Sequence, residues 1–171
     1  MQEAERRIDG YRFLDGASKR VMKAWAAREP EVEIPWTPLD KPLSEARVAL
    51  VSSAALSLRE DQPFDREGER QNPWWGDPSY RVLPREATRE DVRVDHLHIN
   101  PQPASEDLDC IFPLRRLDEL VKAEVVGSSA PRHYSIMGYI LDTGELLEET
   151  APKIAEGLVQ DEVDVALLVP V

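Results

Sequence analysis

Two periods of hydrophobicity run through the chain. Short unbroken apolar runs predict strands. The first is "RVALVSSAALSL", where the β-branched and apolar stretch Arg47 to Val51 passes straight into the small residues Ser52, Ser53, Ala54 and Ala55. The last is "VDVALLVPV", and Val163 to Val171 reads as a strand covered on both faces by helices. "SYRVLP" and "VRVDHLHI" alternate in character and predict two further short strands. A helical period appears in "FPLRRLDELVKAEVV", with Leu114, Leu117, Leu120 and Val121 on one face and Pro113 tolerated in the first turn. A second helix is predicted over about Glu145 to Gln160, its buried stripe being Leu147, Ala151, Ile154 and Leu158. Pro152 either kinks this helix or sits in its first turn behind a Thr150 cap.

Residues 1–30 carry Tyr11, Leu14, Val21 and Trp25 at helical spacing. Pro30 stops the pattern while Gly10 and Gly16 weaken its first half, so one helix or two short ones fit. Residues 31–46 form a proline-rich arm, with Pro35, Pro38 and Pro42 following Pro30, and Trp36 is expected to anchor it by burying its ring. Residues 59 to 78, charged and broken by proline and glycine, read as a long loop whose Trp74 and Trp75 either pack it onto the body or cap an apolar pocket. The order strand, long excursion, helix, helix, strand predicts an α/β fold: a mainly parallel sheet flanked by helices, with a helical N-terminal segment and long irregular loops. Residues 47–171 form the α/β domain, which is expected to be truncated at its C-terminus.

Charge changes the picture by exclusion. The 171 residues carry a formal net charge of −12, which argues against nucleic-acid and anionic-membrane binding. No apolar run reaches membrane-span length, and the charged start lacks a signal-peptide pattern, so a cytoplasmic protein is expected. Cys110 is the one cysteine, which excludes an internal disulfide framework; beside Ile111 and Phe112 it is expected to act as a small buried hydrophobe.

Two clusters carry candidate chemistry. "DHLHIN" sets His96 and His98 two apart, and on a strand that spacing puts both imidazoles on one face, suited to passing protons or ligating a metal. Asp95 and Asp109 are possible companions, but two histidines are an incomplete ligand set and no metal is assigned. In "SSAPRHYSIMGY", Arg132 and His133 precede Tyr134 and Tyr139. An arginine beside a histidine suits a carboxylate-bearing substrate, with Arg gripping two oxygens and His moving a proton; the competing reading pairs Arg132 with an acidic residue. Ser52 and Ser53 either let a ligand approach the strand end or only make a tight exit. Glu148 and Glu149 read as helix-start charges. The chain has no Gly-rich phosphate loop, GxSxG or HExxH motif.

The fragments "PWTPLDKPLSEARVALVSSAAL", "SYRVLP", "VDHLHIN", "DLDCIFPLRRLDEL", "GSSAPRHYSIMGYI" and "LLEETAPKIAEGLVQDEVDVALLVPV", taken in order, resemble the component B family of the glycine, sarcosine and betaine reductases, which includes the selenocysteine subunit of D-proline reductase. The resemblance runs from about Trp36 to Val171. It implies reductive C–N cleavage of a small amino acid or betaine, with a cysteine or selenocysteine anion as nucleophile and a pyruvoyl group on a partner subunit. It further implies other reductase subunits as partners, an oligomer, and no cofactor within this chain. Carried over, His133, His96 and His98 would assist with protons, while Arg132, Ser52, Ser53 and Tyr134 would bind substrate. Cys110 does not match the family's nucleophile position. In the family the strand matching "VDVALLVPV" runs directly into the nucleophile, so that residue is expected in the position after Val171. Three explanations fit: a selenocysteine UGA codon read as a stop, a split protein, or a degenerate non-catalytic homologue; the codons after Val171 test the first. An alternative of another class is an interaction module binding a protein through its acidic surface and proline-rich arm.

Overall fold

The computed structural model describes residues 11–28, 37–72 and 74–171. Trp36 and the anchoring role expected of it lie outside these residues, as do 1–10 and the first part of the arm. The chain divides into two units, Met1–Pro38 and Leu39–Val171.

In the first unit, helix α1 spans Gly16–Ala26. The Asp15 side chain caps it, accepting from the N–H groups of Ala17 and Ser18 at 2.8 and 3.1 Å. That cap fixes where the helix begins and leaves Tyr11 and Leu14 in the turn before it. The apolar face expected from the spacing exists, yet no residue of α1 is buried, and Val21 is 63% exposed.

The second unit runs β1 (Arg47–Ser52), β2 (Leu56–Leu58), α2 (Arg66–Gln71), β3 (Tyr80–Pro84), β4 (Val92–Val94), α3 (Gln102–Glu106), α4 (Leu114–Lys122), β5 (Ser128–Ser129), β6 (Arg132–Ile136), α5 (Ala151–Gln160) and β7 (Val165–Val169). β1 is central. It pairs in parallel with β7 from Val48↔Val165 to Ser52↔Val169, and in parallel with β5 and β6. β3 adds to β6 antiparallel, and β2 with β4 makes a separate antiparallel pair. The fold is therefore α/β, with a mixed, mostly parallel sheet flanked by helices, as the order of elements predicts.

Successive β1 side chains point to opposite faces. Val48 and Leu50 join Phe112, Leu114 and Leu117 around α4, while Val51 joins Tyr134 and Ile154 under α5. Leu50 and Phe112 are fully buried, each contributing about 1.5–3 kcal/mol of transfer free energy.

The structure corrects several expectations. β7 is not covered on both faces: Leu167 and Leu168 are 48% and 69% exposed. The strand pairs only with β1 among the described residues, and α5 packs over Val51 and Tyr134. The 59–78 stretch is not loop throughout, since the Asp65 side chain caps α2 and Phe64, Glu69 and Asp77 are buried. Trp75 packs against Gly68, where an added Cβ would lie 2.8 Å from the indole, whereas Trp74 is exposed and caps nothing. The last helix starts with a wider π-type turn over Leu146–Thr150, closed by Ala151 N–H on the Leu146 carbonyl. That widening shifts the buried stripe to Thr150, Ile154, Gly157 and the half-buried Leu158, leaving Leu147 and Ala151 exposed. Pro152 sits in the first turn of α5, and Thr150 does not cap it but donates its hydroxyl to the Pro78 carbonyl at 2.7 Å. Cys110 is exposed, because it ends a 3-10 turn whose next residues, Ile111 and Phe112, take the buried places.

Candidate functional site at the carboxyl ends of the strands

In parallel sheets the chemistry gathers beyond the carboxyl ends of the strands. Here β1, β6 and β7 are drawn together at that end. The N–H of Ser53 donates to the Val169 carbonyl at 3.1 Å, Val171 N–H donates to Ser53 Oγ at 2.8 Å, and Ala55 N–H donates to the Ile136 carbonyl at 2.9 Å. Ala55 takes φ 50°, a left-handed conformation that a side chain makes costly, so the chain leaves β1 in a strained turn. The Ala55 carbonyl then accepts from Asp95 N–H at 2.9 Å, which brings the segment after β4 to the exit of β1.

That segment carries His96 and His98. Because β4 ends at Val94, the two histidines stand on a turn and not on one strand face. The turn still brings their rings edge to face, 5.9 Å apart. His96 is buried, and its Nδ1 accepts from the backbone N–H of His98 at 3.1 Å. Burial first, and the neighbouring His98 second, lower the His96 pKa and favour the neutral ring. A neutral imidazole accepting at Nδ1 carries its proton on Nε2, and among the described residues this Nε2 has no hydrogen-bond partner. It points at Gly138, where an added Cβ would lie 2.9 Å from Nε2 and 2.7 Å from the Ser53 carbonyl oxygen. Only glycine fits so close an approach of His96 to the strand-end carbonyls. The result is an unpartnered buried donor beside strand-end carbonyls.

His98 is half exposed. Its ring lies 4.2 Å from that of Tyr139, and its Nε2 is 2.6 Å from Oε1 of the buried Glu69. Glu69 comes from α2, inside the stretch read from the sequence as loop. Its signal was the Asp65 cap with acidic residues in the first turn, hidden among neighbouring charges. Gly138 and Tyr139 come just after β6, beyond Met137, and only the closeness of three strand ends gives them meaning.

The remaining sequence candidates are held elsewhere in the structure. Ser52 Oγ donates to the Ile111 carbonyl at 2.7 Å and accepts from Ala54 N–H, tying β1 to the segment before α4. Arg132 opens β6 at the amino end of the parallel strands. Its Nε and Nη2 grip both carboxylate oxygens of Asp161 at 2.7 Å, just beyond α5. This is the pairing with an acidic residue that its composition-rich surroundings offered. His133 is fully buried: Nδ1 accepts from Leu50 N–H at 2.9 Å and Nε2 lies 3.2 Å from Ser129 Oγ. Burial, with Arg85 adding to it, lowers its pKa to about 4. Tyr134 is buried under α5, its hydroxyl unpartnered against Gly157, and burial raises its pKa. Asp95 accepts from Ser57 Oγ at 2.7 Å and Phe64 N–H at 3.2 Å, and Asp109 pairs with Arg115, so neither joins the histidines. Among the described residues, no group of three or more His, Cys, Asp or Glu side chains is placed to hold a metal ion. No helix among them is long and apolar enough to cross a membrane.

No family model matches the chain, and no solved structure matches it. Among curated proteins, it is similar to D-proline reductase subunit gamma of Acetoanaerobium sticklandii, 33% identical over 133 residues. The match takes in 78% of this chain and 52% of that protein, so the chain spans about half the length of its curated relative.

Proposed function

The chain is a relative of the reductase component B family, and on that premise we propose that it serves as a subunit, or part of one, of an enzyme that reductively cleaves a C–N bond in a small amino acid or betaine. The observation that carries this reading is the buried, unpartnered His96 Nε2 at the strand ends, within a chain similar to a D-proline reductase subunit. The cleavage uses a cysteine or selenocysteine anion as nucleophile, and a dithiol supplies the two electrons. We place the substrate at the strand ends beside Ser53 and Gly138, with His96 as hydrogen-bond donor and His98 as proton carrier. Other reductase subunits are the partners, and the pyruvoyl group that the family implies belongs to one of them. No residue of this chain is assigned to that group.

The test is to purify the chain with its partner subunits and assay dithiol-dependent turnover of D-proline, glycine, sarcosine and betaine. Turnover of one of these that H96A abolishes supports the reading. An intact assembly that consumes none of them sinks it.

A second reading, a non-catalytic binding module, is favoured by one observation: Arg132, His133 and Ser52 all make bonds that hold the fold together. It requires the chain to co-purify with a partner while H96A leaves the assembly's activity unchanged.

A further inference from the structure

Glu69 is 3% exposed, and among the described residues neither carboxylate oxygen has a partner in hydrogen-bond geometry. Its closest polar approach among them is that of His98 Nε2 to Oε1, at 2.6 Å. Removing a carboxylate from water costs several kcal/mol, and a single half-exposed partner does not repay that through stability. The placement fits a different role. A carboxylate facing Nε2 at that distance favours the neutral tautomer with its proton on Nε2, leaving Nδ1 as the basic nitrogen. Tyr139 packs on the His98 ring at 4.2 Å between centroids, and the His98 backbone N–H on His96 Nδ1 ties the two residues together.

We propose that Glu69 is a positioning residue that fixes His98 as a proton acceptor and pairs it with the oppositely directed donor His96, giving a site for a small amino acid bearing both a carboxylate and an amine N–H. The ring centroids stand 5.9 Å apart, the scale of such a zwitterion. His96 Nε2–H donates to the carboxylate. His98 Nδ1 takes a proton from the ammonium group: the ligand's N–H bond breaks, Nδ1–H forms, and the imidazolium charge lies against the Glu69 carboxylate. This deepens the reductase reading and rests on it for the identity of the reaction.

The tautomer is measurable without turnover, by long-range ¹H–¹⁵N correlation of the imidazole nitrogens in the full chain. Wild type and E69Q, whose amide oxygen can still accept, are expected to show His98 protonated at Nε2 alone; E69L and E69A are expected to show a mixture. A wild-type His98 protonated at Nδ1, or the same tautomer in E69L as in wild type, overturns the proposal. So does failure of both E69L and E69A to fold, which would make Glu69 a purely structural carboxylate. In an active assembly, E69L is expected to lower kcat at least about tenfold with KM little changed, and E69Q to restore part of the loss. An assembly inactive as wild type tells against the reductase reading and leaves the tautomer result standing.

Discussion

The backbone N–H of Leu50 donates to Nδ1 of His133, 2.9 Å away. A side chain thus fills a rung of the sheet that a carbonyl would otherwise fill. Ser129 faces Val48 and Tyr134 faces Val51, so the strand partnering β1 holds extra residues between β5 and β6, and the imidazole bridges the interruption.

Replacing His133 with leucine leaves the Leu50 N–H buried and unsatisfied, and a loss of about 1–3 kcal/mol is expected in urea unfolding. The wild type also acquires a pH dependence. The folded-state pKa of about 4 lies below the unfolded value of about 6.5, so the unfolded chain takes up a proton first as pH falls. Stability is expected to be level above about pH 6.5 and to drop by about 3 kcal/mol towards pH 4, a slope that H133L removes.

Gly157 and Tyr134 make a second coupled pair. An added Cβ at Gly157 would lie 2.1 Å from the Tyr134 hydroxyl, so G157A is expected to lower stability by about 1–3 kcal/mol. The hydroxyl has no hydrogen-bond partner, so Y134F should be neutral or stabilising, and it should recover part of the G157A loss. A double-mutant cycle in urea measures the coupling; strict additivity would contradict the contact.

For Arg132 and Asp161, the prediction separates structure from binding. R132A is expected to cost no more than about 1 kcal/mol, because the pair is partly exposed and screened by solvent. The hydrogen bond from Arg132 lowers the Asp161 pKa, so this contribution is present above about pH 4 and is lost as pH falls through the folded-state value. Under the proposed function, substrate affinity of the assembly should not change, since the side chain stands at the amino end of the strands.

Gly138 should behave in the opposite way. In G138A the new methyl would lie 2.7 Å from the Ser53 carbonyl oxygen and 2.9 Å from His96 Nε2, so a loss of activity together with a loss of stability is expected. Comparing kcat/KM with the thermal midpoint of the same variant checks this.

Much of the fold was legible because its strongest signals are local. Apolar runs placed β1 and β7, and helical spacing placed α4 and α5. What stayed hidden depends on tertiary contacts. The exposure of β7 follows from which neighbours it has, and the π-type turn before Pro152 replaced Leu147 and Ala151 with Thr150 at the start of the stripe while Ile154 and Leu158 kept their places. In the site, spacing singled out His96 and His98, whose rings lie 5.9 Å apart, but on a turn after Val94 in place of the expected strand face. Arg132 and His133 look like chemistry because arginine and histidine so often are; their roles were decided by Asp161 and Leu50, 29 and 83 residues away in the chain. Glu69 sat among charges where no periodicity sets it apart.

Beyond these residues, the open side of β7 governs how copies of the chain treat one another. Leu167 and Leu168 face water on opposite faces, and the outer row of backbone groups is an invitation to another strand. A net charge of −12 opposes that approach through long-range repulsion. Colloidal behaviour is thus a contest between a sticky margin and a like-charged coat, and raising the salt concentration shortens the reach of the coat. Association between copies through this edge is therefore expected to rise with salt concentration, which light scattering across a salt series checks.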